Sequence, residues 1–302
     1  AARRHSLNLV GPNCIGVVST PSRLNATFGP ESPQEGNVSF MSQSGAFITA
    51  AVDWANDEGM GFRHIVSLGN KAVLDETDFV EAWGDDDGTN VVVGYLEGIE
   101  DGSEFIETAR RVTRGGTPVV LVKSGRTEAG ARAVSSHTGT LAGTEKAYEA
   151  AFRKAGIVRA DDAEELFDLA RALESLPLPD EDGVAVVTNA GGPGVMATDA
   201  VGDSSLTLAE FEDTTYDALR DTLPDAAAIY NPVDVLGDAA PSRFGDAVGE
   251  VLEDPNVGAC LVIACPTATF SFDALAETVV KTTEGTDVPV VAALMGGEGT
   301  KE

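Results

Sequence analysis

Short apolar runs alternate along this chain with longer amphipathic stretches, and most junctions between them are turns of glycine, serine or asparagine. Few architectures accept that pattern. Residues 38–41, 64–68, 91–96 and 118–123 read as strands, and 45–58, 75–83 and 102–113 as helices. After a long polar loop, 141–155 and 161–176 read as helices. Strands alternating with helices imply βα units, and therefore a parallel sheet covered on both faces. The proline- and acid-rich break at 177–183 interrupts the pattern and marks a domain boundary. The alternation restarts beyond it, with strands at 183–188, 258–264 and 288–294 and helices at 194–201, 214–222, 244–252 and 272–283. The expectation is two small doubly wound domains in tandem, 38–178 and 179–302. The leading segment 1–37 holds an apolar run at 7–10 and a Gly-Pro-Asn-Cys turn but no full domain. Both ends read as cut, since the last strand stops without a closing helix.

Forty-nine acidic residues face 20 basic ones, a net charge of −29. Such a surface repels nucleic acid and argues against DNA or RNA as a partner. The acid is spread along the chain and coexists with 43% hydrophobic residues, the composition of a folded protein and not of a disordered acidic segment. It fits adaptation to high salt, where ions screen self-repulsion. The expected outcome is a melting temperature that rises between about 0.05 M and 1 M salt, over which the Debye length shrinks several-fold. No apolar run reaches the roughly 18 residues that a membrane span needs. The start, Ala-Ala-Arg-Arg-His-Ser, lacks a secretory signal's apolar stretch, so a soluble, cytoplasmic protein is expected. Cys14, Cys260 and Cys265 form no Cys-x-x-Cys pair, so neither a disulfide framework nor a zinc site is suggested. Cys260 and Cys265 lie in an apolar stretch and read as core residues.

Several turns fall where strands end and helices begin, the edge at which open α/β sheets bind ligands. The stretch 126–143, RTEAGARAVSSHTGTLAG, carries one imidazole, His137, among serine, threonine, glycine and alanine. A histidine nucleophile needs such a small, polar neighbourhood; an ordinary loop histidine is the other reading. His5, in a terminal segment, and His64, at a strand start, are weaker candidates. Ser42, Gln43, Ser44 and Gly45 open a helix whose N–H groups and dipole favour an anion, or form a plain serine cap. Asn189, Gly191, Gly192 and Gly194 open another, where glycines let the backbone approach an anion. That turn is neither G-x-G-x-x-G nor a P-loop, and a tight βα turn is its other reading. If the two domains face each other, one phosphate fits between both helix starts, held by charge-assisted hydrogen bonds of about 1.5–3 kcal/mol each.

Glu97 ends a strand, where a carboxylate can hold a histidine's second ring nitrogen and fix its tautomer. With Glu100 and Asp101 beside it, a solvated turn acid is the alternative. The turn 11–16 puts a polar backbone beside the Cys14 thiol, which suits the reactive end of a thioester or is a bare turn. Lys71, in the strand-end loop 67–72, is one of only six lysines. Asp75 and Asp78 read as first-turn acids favoured by a helix dipole. Residues 231–235 read as a loop bordering a site, without chemistry of their own.

Taken in order, GPNCIG at 11–16, SQSGAF at 42–47, SLGNKA at 67–72, YLEG at 95–98, KSGRT at 123–127, SSHTGTLAG at 135–143, NAGGPGVMATDA at 189–200 and NPVDVLG at 231–237 span nearly the whole chain. Together they resemble the ADP-forming acyl-CoA synthetases (acetate–CoA ligases, ADP-forming), relatives of succinyl-CoA synthetase. The resemblance implies an α/β protein of two tandem flavodoxin-like, succinyl-CoA synthetase-like domains. It implies that acyl-CoA, ADP and phosphate become free acid, CoA and ATP. Phosphate attacks the acyl-CoA to give an acyl phosphate, a histidine takes the phosphoryl group, and an ATP-grasp domain delivers it to ADP.

On this sequence the resemblance makes His137 the phosphoryl carrier and Glu97 the residue that holds it. It makes Ser42, Gln43, Ser44, Gly45, Asn189, Gly191, Gly192 and Gly194 the phosphate grip, and places Asn13 and Cys14 near the CoA thiol. No metal ligand is implied here. ADP or ATP with Mg2+ is implied on an ATP-grasp domain or beta subunit, and CoA on an N-terminal domain of which 1–37 is the tail. An oligomer is implied too, and this chain alone is not expected to make ATP. Acetate is the family's default acid. Two other readings stay open: the sensor part of a protein acetyltransferase, and a non-catalytic module that binds CoA or a nucleotide and joins subunits. A flavin protein fits poorly, since aromatic residues are 6% of the chain and few lie in these turns.

Overall fold

Runs of β-branched residues without polar interruption belong in parallel strands buried on both faces, and the first sheet is built on them. The computed structural model describes residues 2–29, 31–138, 145–267 and 270–296, with the backbone alone at 3 and 135–138. It divides into two units, Ala1–Ser175 and Leu176–Glu302.

The strands of the first unit are β1 (Gly16–Ser19), β2 (Leu24–Thr27), β3 (Glu35–Ser42), β4 (Phe62–Ser67), β5 (Val91–Leu96), β6 (Val119–Lys123) and β7 (Val158–Ala160). Its helices are α1 (Gly45–Asp57), α2 (Glu76–Gly84), α3 (Gly102–Arg114), α4 (Glu128–Thr138), α5 (Glu145–Ala155) and α6 (Ala163–Ser175). The strand order is β2-β1-β4-β3-β5-β6-β7. β3 to β7 are parallel, and their order is the 2-1-3-4-5 of flavodoxin-like sheets. Successive residues point to opposite faces of a strand. Phe40 accordingly packs with Phe62 and Phe167 under α1 and α6, while Met41 packs with Trp83, Phe105 and Phe152 under α2, α3 and α5.

Two expectations change here. The segment 1–37 does not stand apart: β1 pairs antiparallel with β4, and β2 with β1, so residues 16–27 extend this sheet. The stretch 126–143, expected as a loop, is helical from Glu128 to Thr138. Thr127 starts that helix, its hydroxyl accepting from Gly130 N–H at 3.1 Å, and the following Glu, Ala and Arg are good helix formers. Val134 anchors it as a buried residue.

The second unit holds β8 (Gly183–Thr188), β9 (Thr207–Leu208), β10 (Val233–Asp234), β11 (Ala259–Ala264) and β12 (Val290–Leu294), with α7 (Gly191–Gly202), α8 (Asp213–Thr222), α9 (Pro241–Leu252) and α10 (Phe272–Thr282). The path is β10-β8-β11-β12, and β9 also pairs with β8, all parallel. β9 meets the start of β8 and β10 its end. Between them the Asn231 side chain supplies the missing rung, accepting from Val186 N–H at 2.9 Å and donating to Val184 C=O at 2.7 Å. That is the work of the loop 231–235, for which the sequence offered no chemistry. Phe244, Leu219, Leu275 and Val262 fill the main core, and Cys260 lies within it, its thiol pushed up to about 12 by burial. Among the described residues no helix is long and apolar enough to cross a membrane.

Candidate active site

β3 lies between β4 and β5, so the connections leaving β3 and β5 diverge at the carboxyl edge of the first sheet, where such sheets hold their ligands. The expected residues of this unit other than His137 gather along that edge.

The turn after β3 folds on itself. Ser42 is fully buried; its hydroxyl accepts from Ser44 N–H at 3.0 Å and donates to Ser44 C=O at 2.9 Å. Ser44 is the N-cap of α1, accepting from Phe47 N–H at 3.3 Å. Gln43 reaches sideways. Its N–H donates to Tyr95 C=O at 3.1 Å, and its amide oxygen accepts from Glu97 N–H at 2.5 Å and Gly98 N–H at 2.9 Å. Ser42, expected among the phosphate ligands, commits its hydroxyl to the turn, while Gln43 braces the turn through its amide oxygen and leaves its amide NH2 outside the brace. Gly45 N–H and Ala46 N–H take no partner among the described residues, and they point out of a positive helix end.

Glu97, first residue past β5, is buried at 6% exposure. It is therefore not the solvated turn acid of the alternative reading. The turn it opens is held a second time from below. Lys71, with its side chain 3% exposed, donates to Gly98 C=O at 2.9 Å and pairs with fully buried Glu76 at 2.9 Å. Glu76 in turn accepts from Glu100 N–H at 2.8 Å. Burial pushes the Glu76 carboxyl up, and the Lys71 ammonium opposes that shift. Asp75 and Asp78 serve α2 alone: Asp75 accepts from Thr77 N–H at 2.8 Å, and Asp78 closes the capping box on Asp75 N–H at 2.9 Å.

Sequence reasoning missed Lys123, which ends β6 at the same edge. It is 2% exposed, bonded to Ser124 C=O, and 4.5 Å from the centre of the Tyr148 ring. Burial pushes its ammonium down, while the carboxylates of Glu145 and Glu97 pull it back. A lysine closing an apolar strand was the available signal. His137 lies in the last turn of α4, past this strand, and its side chain is outside the described residues, as are residues 139–144.

The turn at 11–16 packs onto the same edge. Asn70 N–H donates to Pro12 C=O at 2.8 Å, Ile15 N–H to the Ser67 hydroxyl at 3.1 Å, and Asn13 to the Asn70 side chain at 3.3 Å. The approach requires glycine at Gly69: its φ is +56°, and a Cβ there would lie 2.2 Å from Pro12 C=O. The Cys14 thiol is half-buried, 3.8 Å from Val10 C=O.

The second unit repeats the device after β8. Thr188 Oγ1 accepts from Ala190 N–H at 3.0 Å and donates to Ala190 C=O at 3.2 Å. Asn189 exchanges two bonds with the Cys265 backbone, at 3.0 and 2.8 Å, past the end of β11. Its amide, expected on phosphate, is engaged there. The N-cap of α7 is Ala190, which caps nothing. Gly191 and Gly192 are exposed, with no partner for their N–H groups among the described residues, and Gly194 is buried against Thr188 and Pro232.

At the opposite, amino edge of the first sheet the polar residues serve structure. Asp86 accepts from Arg63, from Thr89 Oγ1 at 2.9 Å and from Gly88 N–H, and contacts His64 Nε2 at 3.2 Å. The Arg63 guanidinium holds the Asp86 carboxyl well below the usual range, and burial pushes His64 down as its ring stacks on Trp83.

Comparison with known proteins agrees with this architecture. Residues 35–173 match the model of a succinyl-CoA ligase like flavodoxin domain, and 184–302 that of a ligase-CoA domain. The chain is 46% identical to an ADP-forming acetate–CoA ligase I of Archaeoglobus fulgidus over 100% of its own length and 43% of that protein. It is 40% identical to the alpha subunit of an ADP-forming acetate–CoA ligase I of Pyrococcus furiosus, over 100% of its length and 65% of the relative. The solved structure of a dinucleotide forming acetyl-coenzyme A synthetase 1 of Ca. Korarchaeum cryptofilum, in complex with phosphate and ADP, superposes with a TM-score of 0.94 at 37% identity, over 99% of this chain and 65% of that one. The chain thus spans 43% to 65% of the length of these relatives.

Proposed function

We propose, for a chain that belongs to the ADP-forming acyl-CoA synthetases, that it is the phosphoryl-relay part of an acid–CoA ligase. Phosphate displaces CoA from an acyl-CoA, giving an acyl phosphate. A ring nitrogen of His137 attacks the phosphorus and the carboxylic acid leaves. The phosphohistidine then gives its phosphoryl group to ADP, held with Mg2+ on an ATP-grasp domain or beta subunit outside these residues. CoA is held by an N-terminal domain, with Asn13 and Cys14 near its thiol. The setting is cytoplasmic, and the assembly is an oligomer containing that partner.

The observation that carries this reading is Glu97, a buried acidic residue whose backbone is held at the switch point of the sheet beside the open start of α1. A carboxylate so placed can accept from one nitrogen of an imidazole, leaving the other as nucleophile. For phosphate, the groups with hydrogens to give are, in the first unit, the N–H groups of Gly45 and Ala46, the Ser44 hydroxyl and the Gln43 amide NH2, and, in the second, the N–H groups of Gly191 and Gly192. The sensor and module readings gain nothing from a buried acid kept in place at this cost in polar burial.

The test is labelling by γ-labelled ATP and Mg2+ of the full-length protein with its ATP-grasp partner. The expected outcome is a base-stable, acid-labile label on wild type, absent from His137→Ala and discharged at neutral pH by acetate plus CoA. Equal label on both proteins would remove His137 from the mechanism.

A further inference from the structure

Lys71 stands out because nothing in the relay itself uses it. It is a buried ammonium in a left-handed backbone position, φ 47°, one of six lysines in an acidic chain. Burying such a charge is costly unless it is paired and bonded, and its partners all converge on one short turn. From above, Gln43 takes the N–H groups of Glu97 and Gly98. From below, Lys71 takes the carbonyl of Gly98, and Glu76, paired to Lys71, takes the N–H of Glu100. Residues 97, 98 and 100 are therefore gripped by side chains from two other loops and from the first residue of α2, and the exposed Glu100 carboxylate closes on Lys71 at 3.6 Å.

We propose that Lys71, with Glu76, is a positioning residue that sets the direction in which Glu97 presents its carboxylate. The proposal rests on the reading of Glu97 given above. Without the Lys71 donor the peptide between Gly98 and Ile99 is free to rotate, and Glu97, one residue before it and held by Gln43 on its other side, loses its aim while remaining in place. Reacting groups misaligned by about 1 Å lose on the order of a hundredfold in rate.

Lys71→Met alone leaves Glu76 as an unpaired buried charge and threatens folding. The variant to use is Lys71→Met with Glu76→Gln in the full-length protein with its ATP-grasp partner. It removes both charges and keeps an acceptor for Glu100 N–H. The expected result is a melting temperature close to wild type, KM values for ATP, acid and CoA within about twofold, and phosphohistidine formation slowed by roughly ten- to a hundredfold. In a Glu97→Gln background the same pair should add almost nothing, because groups acting through one another are not additive. Wild-type labelling rates in the folded variant overturn the proposal, as does a full further loss on top of Glu97→Gln. Absence of label from the wild-type protein would instead overturn the His137 relay itself.

Discussion

The turns that open α1 and α7 are the same object built twice, and their differences start from the amide side chain. In each, a hydroxyl at the strand end (Ser42 or Thr188) grips the peptide two residues on, and an amide side chain (Gln43 or Asn189) reaches to the neighbouring strand. Asparagine, one methylene shorter, meets the backbone of Cys265 alone, on both its N–H and C=O. Glutamine passes beyond the strand end and meets two successive N–H groups, the first belonging to an acid. The helix starts differ accordingly. That of α1 is capped by Ser44 and crowded, a Cβ on Gly45 lying 2.7 Å from Ile15 Cγ2. That of α7 has no cap, and a Cβ on Gly192 would meet nothing within 4 Å. The first copy spends its groups on placing a side chain. The second leaves its backbone open.

The largest separation between the copies should come from the first residue past each middle strand. Glu97→Gln is expected to slow phosphohistidine formation by about a thousandfold, while Cys265→Ala leaves the rate unchanged; rapid-quench labelling measures both. The braces come next. Gln43→Leu and Asn189→Leu each orphan buried backbone groups and should lower stability in urea by about 1–3 kcal/mol, but only Gln43→Leu should also slow labelling. Equal slowing by both would erase the distinction between the copies. Smaller still, Gly45→Ala must displace Ile15 and should cost about 1–3 kcal/mol. Gly192→Ala, at an open helical position, should be neutral or stabilising by up to about 1 kcal/mol.

The amino edge of the first sheet supplies the mildest contrast. Asp86 is depressed in the folded state, so its contribution is present above the unfolded carboxylate value near 3.9 and is lost as pH falls below it. His64 is also depressed, so the folded state resists protonating it, and stability declines as pH drops below about 6.5. His64→Gln should flatten the melting temperature between about pH 6.5 and 5, with no effect on labelling at neutral pH.

Legibility followed the range of the forces involved. The strands Val91–Leu96 and Gly183–Thr188 are uninterrupted apolar runs, and local pattern suffices to find them. β7, β9 and β10 are two or three residues long and exist only because a neighbouring strand offers a ladder. The polar tail Ser135-Ser136-His137-Thr138 hides α4, whose start at Thr127 and whose Ala-rich first turns were readable. Glu97 and the two helix starts could be named because they end strands. Lys71 could be noticed only as one of six lysines and Glu76 not at all, since their meaning lies in a turn more than 20 residues away that no local spacing reveals.

The rung that Asn231 supplies beside β8 bears on solubility. A strand flank with unpaired amides invites another chain to lay down a strand of its own. On β8 that flank is shared by two strands of two residues each, with a carboxamide wedged between them. No stretch of the β8 flank is left long enough to template a foreign strand: two short strands cover its ends and one side chain covers the gap between them.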